Sequence, residues 1–132
     1  MTAARAQLEC DPPPADSRCR AAEIDAWNGP YGVLVVPLLL DRGRATPVDR
    51  VLVVDCPEDE QVRRVMARSG LAEAEVRAIM ATQLSRADRL ARADDVVDNS
   101  GTKAAIAPQV AALDRRYREL AAARAGDRNA AR

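Results

Sequence analysis

Histidine is missing from all 132 residues, and lysine appears once, as Lys103. Without histidine there is no imidazole general base, no His-containing triad and none of the common zinc sites. Cysteine occurs three times, at Cys10, Cys19 and Cys56, and never as a C-x-x-C pair. The expectation is therefore three ordinary thiols in a reducing compartment, with Cys56, at the end of an apolar run, partly buried. Net charge is lacking too, with 20 basic against 20 acidic side chains. That balance argues against binding nucleic acid or a membrane surface by bulk charge. No apolar run approaches the length of a membrane span, and no signal-peptide core stands near Met1. A cytoplasmic protein is the expectation. Internal repeats are absent.

What is present suffices for one small domain, since 48% of the residues are hydrophobic. Residues 1–28 read as irregular. Cys10-Asp11-Pro12-Pro13-Pro14 can be neither helix nor central strand, because proline removes donors and fixes φ. Ala21–Trp27 offers a helical turn or two, and Asn28-Gly29-Pro30 is turn chemistry. Val33–Val36 and Val51–Val54 are continuous β-branched runs that read as strands buried on both faces. Glu58–Arg68 has helical spacing with Val62, Val65 and Met66 on one face, stopped by Ser69-Gly70. A second helix is expected from Ala72 to Ser85, then a helical stretch over Asp88–Ala93. Val96-Val97-Asp98 reads as a third strand, and a last helix runs from Lys103 to about Ala123. Residues 124–132 are expected to be a disordered tail. Apolar strands separated by helices mean a parallel α/β sheet of about three strands with helical cover, few for such a sheet.

Seven arginines, Arg63, Arg64, Arg68, Arg77, Arg86, Arg89 and Arg92, face only Glu73, Glu75 and Asp88 between residues 63 and 92. A helical hairpin with that excess, beside the C-terminal ends of parallel strands, suits an anionic ligand, because guanidinium binds phosphate in bidentate fashion. A solvated helical face is the bland alternative. Among these residues, Arg63 and Arg77 read as surface. Asp94 and Asp95 read as partners of nearby arginines or as turn caps rather than bases.

Order along the chain adds a resemblance. Pro30-Tyr31, Val35-Val36-Pro37-Leu38-Leu39, Asp49–Asp55, Met66-Ala67-Arg68, Gln83-x-x-Arg86, Arg89-Leu90-Ala91, Ala93–Asn99 and Gly101 occur in one line. In this, residues 29–123 closely resemble the dephospho-CoA kinase family. The resemblance implies a P-loop kinase-like core with a helical lid, here about residues 63–93, and a C-terminal helix. It implies ATP with magnesium as phosphoryl donor and the ribose 3′-hydroxyl of dephospho-CoA as acceptor. Arg64 and Arg68 match arginines leading into the lid, and Arg86 and Arg89 match lid arginines, which neutralise charge on the transferred phosphoryl group. Asn99 matches the residue near the adenine, with Gly101 on the same nucleotide-binding loop. Pro37, Leu38 and Leu39 match the strand end beside the substrate, although packing alone could account for them.

The sequence also departs from the family. A phosphate-binding loop requires G-x-x-x-x-G-K-[ST], and the lone lysine stands in Gly101-Thr102-Lys103-Ala104. The loop, the family's first strand and its N-terminal aspartate are expected to be missing, so this reads as a fragment without activity of its own. Ala72 stands where the family often has a Ser or Thr helix cap. Residues 10–20, read one base forward, can encode Ala-Ile-Leu-His-Pro-Leu-Ile-Arg, the family's helix at this point. A frameshift restored near residues 20–22 is the expectation, and a Pro-rich linker the alternative. The rival functional readings are a non-catalytic CoA- or nucleotide-binding module, and part of a related P-loop nucleotide kinase. A separate chain carrying the missing half is a further partner to consider, and no protein-held metal site is expected.

Overall fold

Strand β1 (Leu52–Asp55) and strand β2 (Asp95–Asp98) pair in parallel, Leu52 opposite Asp95 and Asp55 opposite Asp98. Three helices lie between them in sequence: α1 (Glu58–Ser69), α2 (Glu73–Ala81) and α3 (Arg86–Ala91). A 3-10 turn over Lys103–Ala105 then leads into α4 (Ile106–Ala130). This computed structural model describes residues 26–36, 40 and 48–130, with side chains at 128–130 excepted. It comprises two compact units, residues 35–116 and residues 1–34 with 117–132. The expectations for the stretch before residue 26, including the Pro-rich segment 10–20, lie outside the described residues, as do Pro37, Leu38 and Leu39.

The α/β class with a parallel sheet is as expected, but the strand count is not: two strands are present among the described residues, not three. Val33–Val36 carries no ladder, and Val33 and Val35 are 71% and 84% exposed. β-Branched residues favour extended backbone, yet a strand exists only where its N–H and C=O groups find a neighbour. Burial on both faces is corrected for the same reason. Val54 and Val96 are exposed, whereas Val97 is buried, because a two-stranded ribbon leaves part of each face without cover.

The helices stop and start on identifiable chemistry. Acidic Glu58, Asp59 and Glu60 fill the first turn of α1, where the helix dipole favours them. Gly70, at φ 66°, closes α1 in the left-handed conformation and donates to Met66 O at 2.9 Å. At the start of α2, alanine has no side-chain acceptor, but Glu75 Oε2 accepts from the Ala72 N–H at 2.8 Å, supplying half of a capping box. The helix expected to run to Ser85 ends at Ala81 instead. Ser85 Oγ accepts from the Asp88 N–H at 3.1 Å and so begins α3. At the other end of the chain, α4 continues to Ala130, so residues 124–130 of the expected disordered tail are helical.

The core of the 35–116 unit is small: Cys56, Val62, Val76 and Val97 are buried among the described residues. Cys56 is thus more buried than expected, at 7% exposure. Alongside these sits one buried carboxylate, Asp95, whose side chain is 2% exposed. Arg50 Nε and Nη2 donate to it at 2.8 and 3.2 Å, and Arg116 Nη1 lies 2.9 Å from Oδ1. Asp94 Oδ2 accepts from the Val51 N–H at 2.7 Å. Asp95 therefore pairs with arginines, as its sequence context suggests, whereas the Asp94 carboxylate accepts from the backbone just before β1 instead of pairing or capping its own turn. In the other unit, Tyr31 and Tyr117 meet edge to face at 5.4 Å. A Cβ on Gly29 would come within 2.7 Å of Trp27 Nε1, so a larger residue there would push the exposed ring aside.

Removing the buried carboxylate should unfold the chain readily. We expect Asp95→Ala to cost on the order of 3 kcal/mol in urea denaturation, as when one member of a buried ion pair is deleted. Arg116→Ala, at a 54% exposed side chain, should cost about 1 kcal/mol or less. Equal losses in the two variants would contradict this ranking.

Candidate functional site at the strand ends

Parallel pairing brings the C-terminal ends of β1 and β2 side by side, with Asp55 and Asp98 in register. The chain leaves β1 through Cys56-Pro57 into α1, and leaves β2 through Asn99-Ser100-Gly101. The Asn99 N–H donates to Asp55 O at 2.7 Å, so the second exit loop is stitched to the first strand. Gln109, on α4, grips Asp98 twice: Oε1 accepts from its N–H at 2.9 Å, and Nε2 donates to its carbonyl at 3.0 Å.

The four arginines singled out by sequence occupy four different settings. Arg64 meets Asn99 and Gly101, bringing three of the predicted site residues together. Its Nη1 donates to Asn99 O at 2.8 Å, and its Nη2 lies 3.5 Å from Ser100 O and from Gly101 O. Arg86 makes a bidentate pair with Asp55, at 2.8 and 2.6 Å. Arg89 donates to Leu84 O at 2.6 Å and lines a cavity of about 300 Å3 together with Ser85, Met80 and Arg77. Arg68 stands apart, on a separate cavity of about 310 Å3 between α1 and α2. It is exposed, and its Nε lies 3.5 Å from Ser69 Oγ.

Electrostatics follow this geometry. The hydrogen bonds from Arg86 hold the Asp55 carboxyl below the usual carboxylate range, against the opposing effect of burial. Glu60, gripped by Arg63 and Arg64, is pushed down to about 2. Asp98 is lowered by the hydroxyl and the N–H of Ser100. Arg86 in turn is raised by Asp55. Arg63 and Arg77 are the surface residues expected. Arg63 pairs with Glu60 one turn back, and Arg77 bridges Glu73 and Asp59.

Three residues matter here that sequence reasoning did not single out as site residues: Asp55, Glu60 and Gln109. Asp55 had a signal, as a carboxylate closing an apolar strand. Gln109 had none, since its role depends on where α4 folds back. Among the described residues no helix is long and apolar enough to cross a membrane.

Arginine-bearing helices beside the C-terminal ends of two parallel strands define an α/β protein with paired guanidinium and carboxylate groups at that edge. Comparison with known proteins sharpens the class. The family profile for dephospho-CoA kinase matches residues 2–105, which extends the resemblance through the Pro-rich segment to the N-terminal side of residue 29. The chain belongs to the dephospho-CoA kinase family. The dephospho-CoA kinase of Methylococcus capsulatus is 60% identical over 95 residues, covering 72% of this chain and 48% of that protein. The Thiobacillus denitrificans dephospho-CoA kinase is 50% identical over 123 residues, covering 92% and 61%. The crystal structure of TT1252 from Thermus thermophilus superposes with a TM-score of 0.66 at 32% identity, over 78% of this chain and 54% of that one. The chain thus spans about half the length of these relatives.

The Asp55–Arg86 pair gives a direct titration test. A folded pKa below the ordinary 3.8 means that the pair's contribution is complete above the usual carboxylate range. It is lost as pH falls through the folded value. Carboxyl-carbon NMR should place the Asp55 midpoint below 3.8 in the wild type, and Arg86→Ala should move it upward. Arg77→Ala should leave it in place. A midpoint unmoved by Arg86→Ala would show that the pair does not persist in solution.

Proposed function

We propose that this chain supplies the nucleotide-base loop and the arginine lid of a dephospho-CoA kinase, an enzyme that moves the γ-phosphoryl of ATP to the ribose 3′-hydroxyl of dephospho-CoA. The observation that carries the reading is the convergence of Arg86, Arg64 and the Asn99–Gly101 loop on the strand ends, in a chain of this family. Phosphoryl transfer asks a protein mainly for positioning and for charge stabilisation. Arginines on a helical hairpin provide the second.

In this reading the roles divide. Asn99 and Gly101 meet the adenine side of ATP. Arg68 and Arg89, each beside a cavity, and Arg86, once released by Asp55, meet the phosphates. Pro37, Leu38 and Leu39 keep the substrate-side role that the family resemblance implies. Magnesium enters with ATP as part of that substrate. Among the described residues no group of three or more carboxylate or thiol ligands gathers. The strand-end carboxylates are engaged as well, Asp55 by Arg86 and Asp98 by the Ser100 N–H. The phosphate cradle itself needs a glycine-rich loop ending in Lys-Ser or Lys-Thr, which these 132 residues do not contain. The chain alone is therefore inactive, and catalysis requires the half of the relatives' length that it does not match.

Purified chain should form no CoA from ATP and dephospho-CoA. Joined to the unmatched half of the Methylococcus capsulatus relative, it should turn over. In that joined protein Arg68→Ala should lower kcat about a hundredfold, the scale of losing one charge-stabilising donor, with a smaller change in KM for ATP. Arg63→Ala, at an exposed pair outside both cavities, should change kcat little. Turnover by the chain alone at an ordinary kinase rate, roughly 1–100 per second, would refute the division of labour. Equal losses from the two substitutions would refute the site assignment.

A further inference from the structure

The loop after β2 is tied down unevenly. On one side its polar groups are met by its own neighbourhood: the Asn99 N–H by Asp55 O at 2.7 Å, and the Ser100 N–H by Asp98 Oδ1 at 2.8 Å. On the other side three successive carbonyls, of Asn99, Ser100 and Gly101, turn toward a single guanidinium, that of Arg64. Glu60 Oε1, one turn earlier on α1, accepts from Arg64 Nε at 2.7 Å and so orients the plane of the group. All three guanidinium nitrogens are thus engaged, one by a carboxylate and two by carbonyl oxygens.

A guanidinium aimed at a phosphate presents its paired N–H groups to the anion. Here those groups face backbone oxygens of the loop instead. Arg68 lies four residues further along α1, about 6 Å along the helix axis, and carries no comparable ties. The two arginines that sequence order places together are therefore in different employment.

We propose that Arg64 is a positioning residue: by holding the carbonyls of Asn99, Ser100 and Gly101 it shapes the loop that receives the nucleotide base, and it does not read phosphate. The proposal rests on the reading of that loop as nucleotide-binding. Glu60 belongs to the same device. Kept ionised by its two arginines down to a pKa of about 2, it holds the guanidinium plane against the loop at any ordinary pH.

The test separates base from phosphate. Adenosine and tripolyphosphate are titrated separately, by NMR, into the 132-residue chain and its Arg64→Ala and Glu60→Gln variants. Amide hydrogen exchange is followed at Asn99 and Ser100, whose N–H groups are bonded, with Val53 and Val97 as reporters of the fold. In Arg64→Ala, exchange in the loop should rise roughly tenfold or more. Adenosine affinity should fall by about the same factor, the scale of losing a charged hydrogen bond, and tripolyphosphate affinity should stay within about twofold. Arg64→Lys should not rescue the loop, because one ammonium cannot span three carbonyls. Glu60→Gln, which keeps the arginine, should shift exchange and adenosine affinity in the same direction by less, and it serves if Arg64→Ala fails to fold. Loss of tripolyphosphate binding with adenosine binding intact would overturn the proposal, as would unchanged loop exchange. If the wild-type chain binds no adenosine, the nucleotide reading of the loop falls, while the exchange data still decide whether Arg64 holds it.

Discussion

A single buried carboxylate sets the frame from which the rest of the 35–116 unit is hung. Asp95 lies at the start of β2 with its side chain almost wholly out of solvent, and it is met by guanidinium groups from two directions. Arg50 comes from the residues just before β1, and Arg116 from α4, more than two turns into that helix. A charge in such a place is tolerable only if its oxygens are satisfied. That requirement ties the beginning of one strand, the beginning of the other and the flanking helix to one point. With the strand starts pinned and Leu52 opposite Asp95, the register cannot slip, because a one-residue slip would move Asp95 off its partners and turn Val97 out of the core.

From the fixed register the arrangement at the strand ends follows. Asp55 and Asp98 emerge together, and each recruits what stands above it: Asp55 takes Arg86, and Asp98 is gripped by Gln109 while it caps the turn at Ser100. The chain's arginines are consequently not a uniform cloud of charge. Arg50 and Arg116 neutralise a core carboxylate. Arg63 and Arg77 make exposed pairs of small energetic weight. Arg64 and Arg86 are committed to partners at the strand ends, and Arg68 and Arg89 border cavities. A formal charge of zero conceals this separation.

The hairpin of α1 and α2 shows how little packing supports these groups. Val62 and Val76 are buried, while Ile79 and Met66 of the same helices stay substantially exposed. Elements with few buried apolar contacts are those most able to move relative to a sheet.

Much of this was legible in the residues alone. Continuous β-branched runs located β1 and β2, and 3.6-residue spacing located α1, α2 and α4, because those patterns are local consequences of backbone geometry. The ordered motifs from Pro30 to Gly101 pointed to the family. The sequence by itself also determined that a lysine-bearing phosphate loop is not encoded in these residues, since that loop's chemistry is local. Other features depended on contacts between distant residues. Val33–Val36 has the composition of a strand but no ladder, because strand status is conferred by a neighbour. Ser85 reads as the end of one helix by spacing, yet its hydroxyl caps the next helix. Arg64 and Arg68 look equivalent in sequence. Only the tertiary structure decided that Arg64 is committed to the Asn99–Gly101 carbonyls, because those oxygens lie more than thirty residues away and are brought within reach solely by the parallel pairing of β1 with β2.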